Sequence, residues 1–347
     1  MKKPVLFLIA LLMCLLLCGC RFTTGGAAND RRFIVAAVGF STDGALINVS
    51  AETIIINSET PDSDPKAEVL TAGGTTVAEA FEAISASLAR PMLLEHCGVI
   101  VIGSGITPAW LDKICAYCFS ENRITLSSYM ISADDPYELL SGEPESSVAV
   151  GYDIMGIIEQ NSSSSGIYYD SRYFEIEGLR EKGRDVFTLP YFSRGEDGVS
   201  LEGLSVFRSD RLLGQLDRGD TELYSLITEN FGSGSVRIGS REYNLNLRKA
   251  EYGYSDKDKN KITLKLHISG DDINDEVCGE LEKKLTELEG RLKLSYKTDA
   301  FGFGDILSER FNDFGKKYEE DEDYEKFYAS SAFSVECIIS GGAKNDG

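Results

Sequence analysis

The run Gly98-Val-Ile-Val-Ile-Gly103 sets the first constraint on the fold. It places four β-branched apolar side chains between two glycines with no charge among them, the mark of a short buried strand. Pro108 then opens a helical segment, 108–120, with Trp110, Leu111, Ile114 and Cys118 on one stripe. The alternation recurs on both sides. FIVAAVGF (33–40) and the Val/Ile/Thr-rich stretch 45–57 read as strands joined by Thr42-Asp43-Gly44, and 68–71 as a short third strand. Thr76 and Glu79 form a capping box for a helix with Val77, Ala80, Phe81, Ile84 and Leu88 on one face, which Pro91 closes. A strand over 126–132, a short helix from Asp135-Pro136, and helices over 148–160 and 170–179 complete a first region, 31–190. A candidate internal break lies at 145–170, where Ser162–Ser165 reads as a loop.

The remainder, 191–347, has another rhythm. A hairpin (200–207 and 212–216) leads to a helix capped by Asp220 or Thr221, then to strands over 235–238, 243–252 and 261–269. A long helix, 273–296, carries the stripe Leu281, Leu285, Leu288 and Leu292, with Glu280/Lys284 and Glu289/Lys293 as i,i+4 pairs. A last strand covers 332–339. The fold class expected is α+β, multi-domain, with mixed or antiparallel sheets packed against helices. The length of 347 residues suits one large or two medium domains, and 42% hydrophobic residues suffice for packed cores.

The N-terminus is a separate matter. Lys2 and Lys3 precede an uncharged run, 5–17, which is short against the roughly 20 residues of a membrane span. A charged start, a short apolar run and small residues before a cut point describe a secretory signal. Leu17-Cys18-Gly19-Cys20 narrows this to a lipoprotein signal, with Leu17 and Gly19 as the peptidase recognition positions and Cys20 as the acylated first residue of the mature chain. Residues 1–19 are then removed, and 20–30, small and polar, form a tether.

Lys and Arg number 35 against 56 Asp and Glu, a net charge of −21, which argues against nucleic acid as a partner. The signal removes two lysines and no acid, so the body is more acidic still, and the acyl chains must provide the hold on the membrane. His96 and His267 are the only histidines. Cys115-Ala-Tyr-Cys118 with His96-Cys97 imitates part of a zinc site but lacks a fourth ligand and a second paired motif, and its spacing fits one face of the 108–120 helix, so buried, inert thiols are expected. Asp256-Lys-Asp258-Lys-Asn260 begins like a calcium loop and fails at Lys261 and His267. Glu319–Asp323 reads as a solvated acidic surface, Gly302-Phe-Gly304 lacks the third glycine of a dinucleotide loop, and Gly232-Ser-Gly-Ser235 is no nucleophile elbow. No catalytic residue, cofactor or metal is expected, which favours a binding or assembly role over an enzyme.

Several stretches together resemble the C subunit of spore germinant receptors, the GerAC-type lipoproteins. They are the Leu17–Cys20 signal, the 32–40 strand, the capped helix within 74–90, Leu94-Glu-His96, Val99–Gly103, Leu189-Pro190, 204–207 and Leu212-Leu-Gly214. Asp299-Ala-Phe301-Gly302-Phe303-Gly304 resembles the family's D-x-F-G-F-G after a long helix. The segment that follows, 312–327, lacks the family's tryptophans. The resemblance implies an α+β, non-enzymatic subunit on the outer face of the cytoplasmic (spore inner) membrane. It would act with membrane-embedded A and B subunits to couple nutrient sensing to germination. The six residues 299–304 read as a structural corner: Asp299 to cap the next helix, glycines to permit positive φ, and Phe301 and Phe303 to plug adjoining cores. The alternative is a solute-binding lipoprotein of a transporter, which normally shows two repeated lobes; no internal repeat is visible here.

Overall fold

The structure, a computed structural model, describes residues 33–55, 65–88, 91–120, 124–169, 171–182, 186–255, 260–318 and 321–340. The expected signal, Leu17, Gly19, Cys20 and the tether lie outside the described residues. The chain is α+β, as its pattern indicates, and is built on two mixed sheets.

The first sheet contains β1 (Phe33–Thr42), β2 (Ile47–Ile55), β3 (Lys66–Gly74), β4 (Met92–Leu93), β5 (Val99–Gly103), β6 (Tyr129–Ala133), β7 (Val186–Gly195), β8 (Gly198–Arg208) and β9 (Arg211–Leu216). Their order is β3-β2-β1-β5-β6-β7-β8-β9, with β4 beside β1. The centre, β1-β5-β6-β7, is parallel, and antiparallel ribbons close both sides. Helices α1 (Val77–Ala86), α2 (Pro108–Phe119), α3 (Pro136–Leu140), α4 (Val150–Ser165) and α5 (Tyr173–Glu181) cover the faces. This explains the uninterrupted apolar run of β5. Ile100 and Ile102 pack with Phe81, Trp110, Ile114 and Tyr173 on one face, while Val99 and Val101 pack with Ile131 and Ile154 on the other. A central parallel strand covered on both sides has no solvent face to make polar.

The second sheet, in the order β10 (Ser233–Ile238), β11 (Arg241–Ser255), β12 (Lys261–Ser269), β13 (Ala332–Ile339), is antiparallel except for the β12/β13 pair. Helix α6 (Arg218–Ile227) joins the two sheets, and α7 (Asp275–Tyr296) lies over β13. After α7 come α8 (Phe303–Arg310), α9 (Asn312–Lys317) and α10 (Asp321–Ser330). The Asn274 side chain caps α7 by accepting from Val277 N–H at 3.0 Å, and the predicted leucine stripe is buried in full. Glu289 faces inward too, 4.0 Å from Lys293 and accepting from the Tyr328 hydroxyl at 3.2 Å. β13 is an edge strand, and Glu282 of α7 accepts its Cys337 N–H at 2.7 Å, closing part of that edge.

Three local expectations change. The boundary at 190/191 falls inside β7, because β7, β8 and β9 continue the first sheet and the second begins only after Leu216. The Ser162–Ser165 run is the last turn of α4 rather than a loop. Ser164 and Ser165 donate to the carbonyls of Gln160 and Asn161, 2.9 and 2.7 Å away, which lets serine finish a helix. Gly166 then ends α4 at φ 73°, where a Cβ would stand 2.3 Å from the Ser233 carbonyl oxygen. The cap of α6 is Asp217, accepting from Asp220 N–H at 2.8 Å, rather than Asp220 or Thr221. Among the described residues no helix is long and apolar enough to cross a membrane.

Candidate functional site

The corner at Asp299–Gly304 is a buried polar construction. Asp299, 2% exposed, follows α7. Its Oδ1 accepts from the N–H groups of Phe301 and Gly302, and its Oδ2 from that of Gly304, each at 3.0 Å. The Tyr324 hydroxyl of α10 donates to Oδ2 at 2.6 Å. A carboxylate so placed satisfies N–H groups that the first turn of α8 leaves without helical partners. Gly302 is the N-cap of α8 itself, at φ 72°, in the left-handed region. Gly304 is needed for space rather than for its backbone angles: a Cβ there would stand 2.8 Å from the Tyr324 ring.

The two phenylalanines do not plug separate cores. Phe301 stacks on Tyr224 of α6 at 5.1 Å and on Phe303 at 5.3 Å, and Phe303 reaches Phe333 of β13 at 5.3 Å. The Tyr224 hydroxyl donates to the Ala300 carbonyl at 2.9 Å. From the first sheet, Arg208 of β8 donates to the Asp299 carbonyl at 3.3 Å and pairs with Glu325 of α10 at 2.6 Å. The corner thus ties β8 and α6 on one side to α7, α8 and α10 on the other. A groove of 760 Å³ opens beside it, bordered by Tyr168, Phe174, Leu179, Val186, Phe301 and Ile306.

The other sequence candidates are not assembled into chemistry. Cys97, Cys115 and Cys118 are buried free thiols. Burial pushes Cys97 up to about 12 and raises Cys115 and Cys118 as well, so none is a reactive thiolate. His96 ends a short 3-10 turn and is exposed. His267 lies in β12 with its Nε2 3.5 Å from Glu251. Most of the calcium-like turn falls outside the described residues. Among the described residues no three His, Cys, Asp or Glu side chains converge to hold a metal ion.

One group escapes the sequence reading. Glu52 of β2 is 1% exposed, and its carboxylate accepts from Val150 and Gly151 N–H, at 2.5 and 2.8 Å, at the start of α4. Burial pushes it up to about 7 against these hydrogen bonds; Asp153 adds to the rise and Arg194 opposes it. A lone carboxylate in the middle of a strand otherwise free of charge, INVSAETII, was the available signal.

Comparison with known proteins places this architecture among spore germination proteins. Residues 29–194 match the family model described as the spore germination protein N-terminal domain, and residues 202–289 match the spore germination B3/GerAC-like C-terminal model. The chain belongs to the GerAC-like family of spore germination proteins, germinant receptor C subunits. The spore germination protein GerQC of Bacillus cereus is 22% identical over 240 residues, covering 69% of this chain and 64% of the relative, slightly under two thirds of its length. The crystal structure of the GerBC protein aligns at a TM-score of 0.49 and 14% identity over 88% of this chain and 97% of that one. The matched family spans stop at residue 289, short of the Asp299–Gly304 corner, and start at residue 29, after Cys20.

Proposed function

We propose that the chain is the lipid-anchored C subunit of a nutrient germinant receptor, acting without catalysis of its own. It is acylated on Cys20 after removal of residues 1–19, held on the outer face of the cytoplasmic (spore inner) membrane, and works with A and B membrane subunits to trigger germination. The observation that carries this reading is the pair of family matches over 29–194 and 202–289, joined to the Leu17-Cys18-Gly19-Cys20 signal in the sequence. The interior is consistent with a scaffolding role: the buried carboxylate of Asp299 is engaged by three backbone N–H groups and one tyrosine that hold the corner together.

The test is genetic. Spores lacking the gene, or carrying Cys20→Ala, are exposed to a panel of nutrients and their germination is followed by loss of optical density. Loss of the response to at least one nutrient in both strains supports the reading. Normal germination with every nutrient, in a strain also stripped of paralogous receptors, overturns it.

A further inference from the structure

Among the described residues, the eight large apolar side chains that stand exposed are not spread evenly. Phe119, Leu126, Tyr168 and Phe174 are 56%, 38%, 59% and 51% exposed and belong to one region. The strand register fixes where that region lies. Ala37 of β1 stands beside Val99 of β5, and Val99 beside Tyr129 of β6, so the residues preceding Tyr129 lie level with the beginning of β1. Leu126 is one of them. Phe174 N–H donates to the Leu126 carbonyl at 3.0 Å, and Ile124 N–H donates to that of Cys118, which brings the end of α2 and Phe119 to the same place. Tyr168 faces Phe174 across the groove described above. Lys66, at the start of β3, and Lys182, after α5, are exposed at this end as well. Leu46 and Tyr137 lie at the far end of the sheet, and Leu294 and Ile339 on the second unit.

The end so marked is the one at which the chain enters the fold, at Phe33. On the reading that Cys20 is acylated, only residues 21–32 separate the lipid from β1, and 12 residues span at most about 40 Å. This end of the sheet therefore stays within reach of the bilayer. Its apolar side chains project from the ends of separate elements around the sheet and three of the four are aromatic, while the exposed charges around them are of both signs, Lys66 and Lys182 beside Glu68, Glu95 and Glu181. That is the composition of a surface resting at headgroup depth, where aromatic rings place an apolar body in the interface. The overall charge of −21 gives the molecule no electrostatic attraction to anionic lipid, so the contact must be made by apolar side chains.

We propose that the end of the nine-stranded sheet at which β1 begins lies directly on the lipid surface, with Phe119, Leu126, Tyr168 and Phe174 set among the headgroups. The proposal rests on acylation at Cys20, and the experiment separates the two. The full acylated protein is incorporated into vesicles of phosphatidylcholine with phosphatidylglycerol, with or without acyl-chain-brominated phosphatidylcholine as a quencher. Phe119→Trp, Phe174→Trp and, as a control on α7, Leu294→Trp are compared. Trp110, the chain's single tryptophan and buried, gives a common background and reports that each variant is folded. Co-sedimentation with vesicles reads the anchor; emission reads the face. The expected result is blue-shifted, bromine-quenched emission at positions 119 and 174 and unquenched emission at 294. Vesicle-bound protein with positions 119 and 174 no more quenched than 294 overturns the proposal, leaves the anchor standing and reserves this face for a protein partner. Protein that fails to co-sediment overturns both.

Discussion

Two buried carboxylates do opposite things in this molecule. Asp299 accepts four hydrogen bonds, three of them from backbone N–H groups at the start of a helix. Asp299→Asn replaces an accepting oxygen with a donor that faces donors, so the variant should lose about 2–4 kcal/mol of stability in urea unfolding. An unchanged unfolding midpoint would show that the corner tolerates the loss of the carboxylate. Glu52 has only two donors, and burial dominates, lifting it to about 7 from 4.5. A raised folded-state value means that the folded protein holds this proton more tightly than the unfolded chain does. Its contribution is full below about 4.5, is lost as pH rises toward about 7, and amounts to at most about 3 kcal/mol. Thermal midpoints of the wild type should therefore fall between pH 5 and 7.5 relative to those of Glu52→Gln, which lacks the proton. Parallel profiles for the two proteins would remove Glu52 as the source.

At the scale of elements, α7 is the clearest test of packing. Leu285→Ala opens a space against the second sheet and should cost about 2–5 kcal/mol, whereas Leu294→Ala, 79% exposed on the same helix, should stay within about 0.5 kcal/mol; paired urea titrations decide. This helix was legible in the sequence because its leucine stripe is periodic and local. So were β1, β5, α1 and α2, for the same reason. What was not legible depended on distant partners. β7 joins β6 through Ser132 and Tyr191, far apart in sequence, and no local pattern announces that the hairpin after it extends the first sheet instead of founding a second. The serine turn of α4 and the full length of β3, which ends in Gly73-Gly74, run against local propensity and are held by the neighbours they pack on. At the corner, the Asp299 pattern was readable as an acceptor placed before the N–H groups it serves; Tyr324 and Arg208, brought in by the tertiary fold, were not.

At the scale of the whole molecule, one of the three buried apolar clusters among the described residues crosses from the first sheet to the second unit. A single hydrophobic cluster runs from Val99 and Ile131 of the first sheet through Tyr224 and Phe301 to Leu264 and Leu285 of the second unit. Units joined in this way should unfold together. Scanning calorimetry is expected to show one transition whose calorimetric and van't Hoff enthalpies agree, and two resolved peaks would mean that the shared cluster does not couple them. The two matched family spans meet between residues 194 and 202, within the β7/β8 hairpin of the first sheet, so their boundary does not coincide with the break between the two sheets after Leu216.

The position of β1 has a mechanical consequence. The described chain begins not on an edge strand but in the interior of the sheet, with β2 along one side of β1 and β4 and β5 along the other. A force applied through the residues before Phe33 and directed along the strand does not peel one hydrogen bond at a time. It loads both flanking ladders in shear, so that many bonds must fail together. A body held by its N-terminus in this way would transmit tension into its most resistant strand, and would yield last where it is attached.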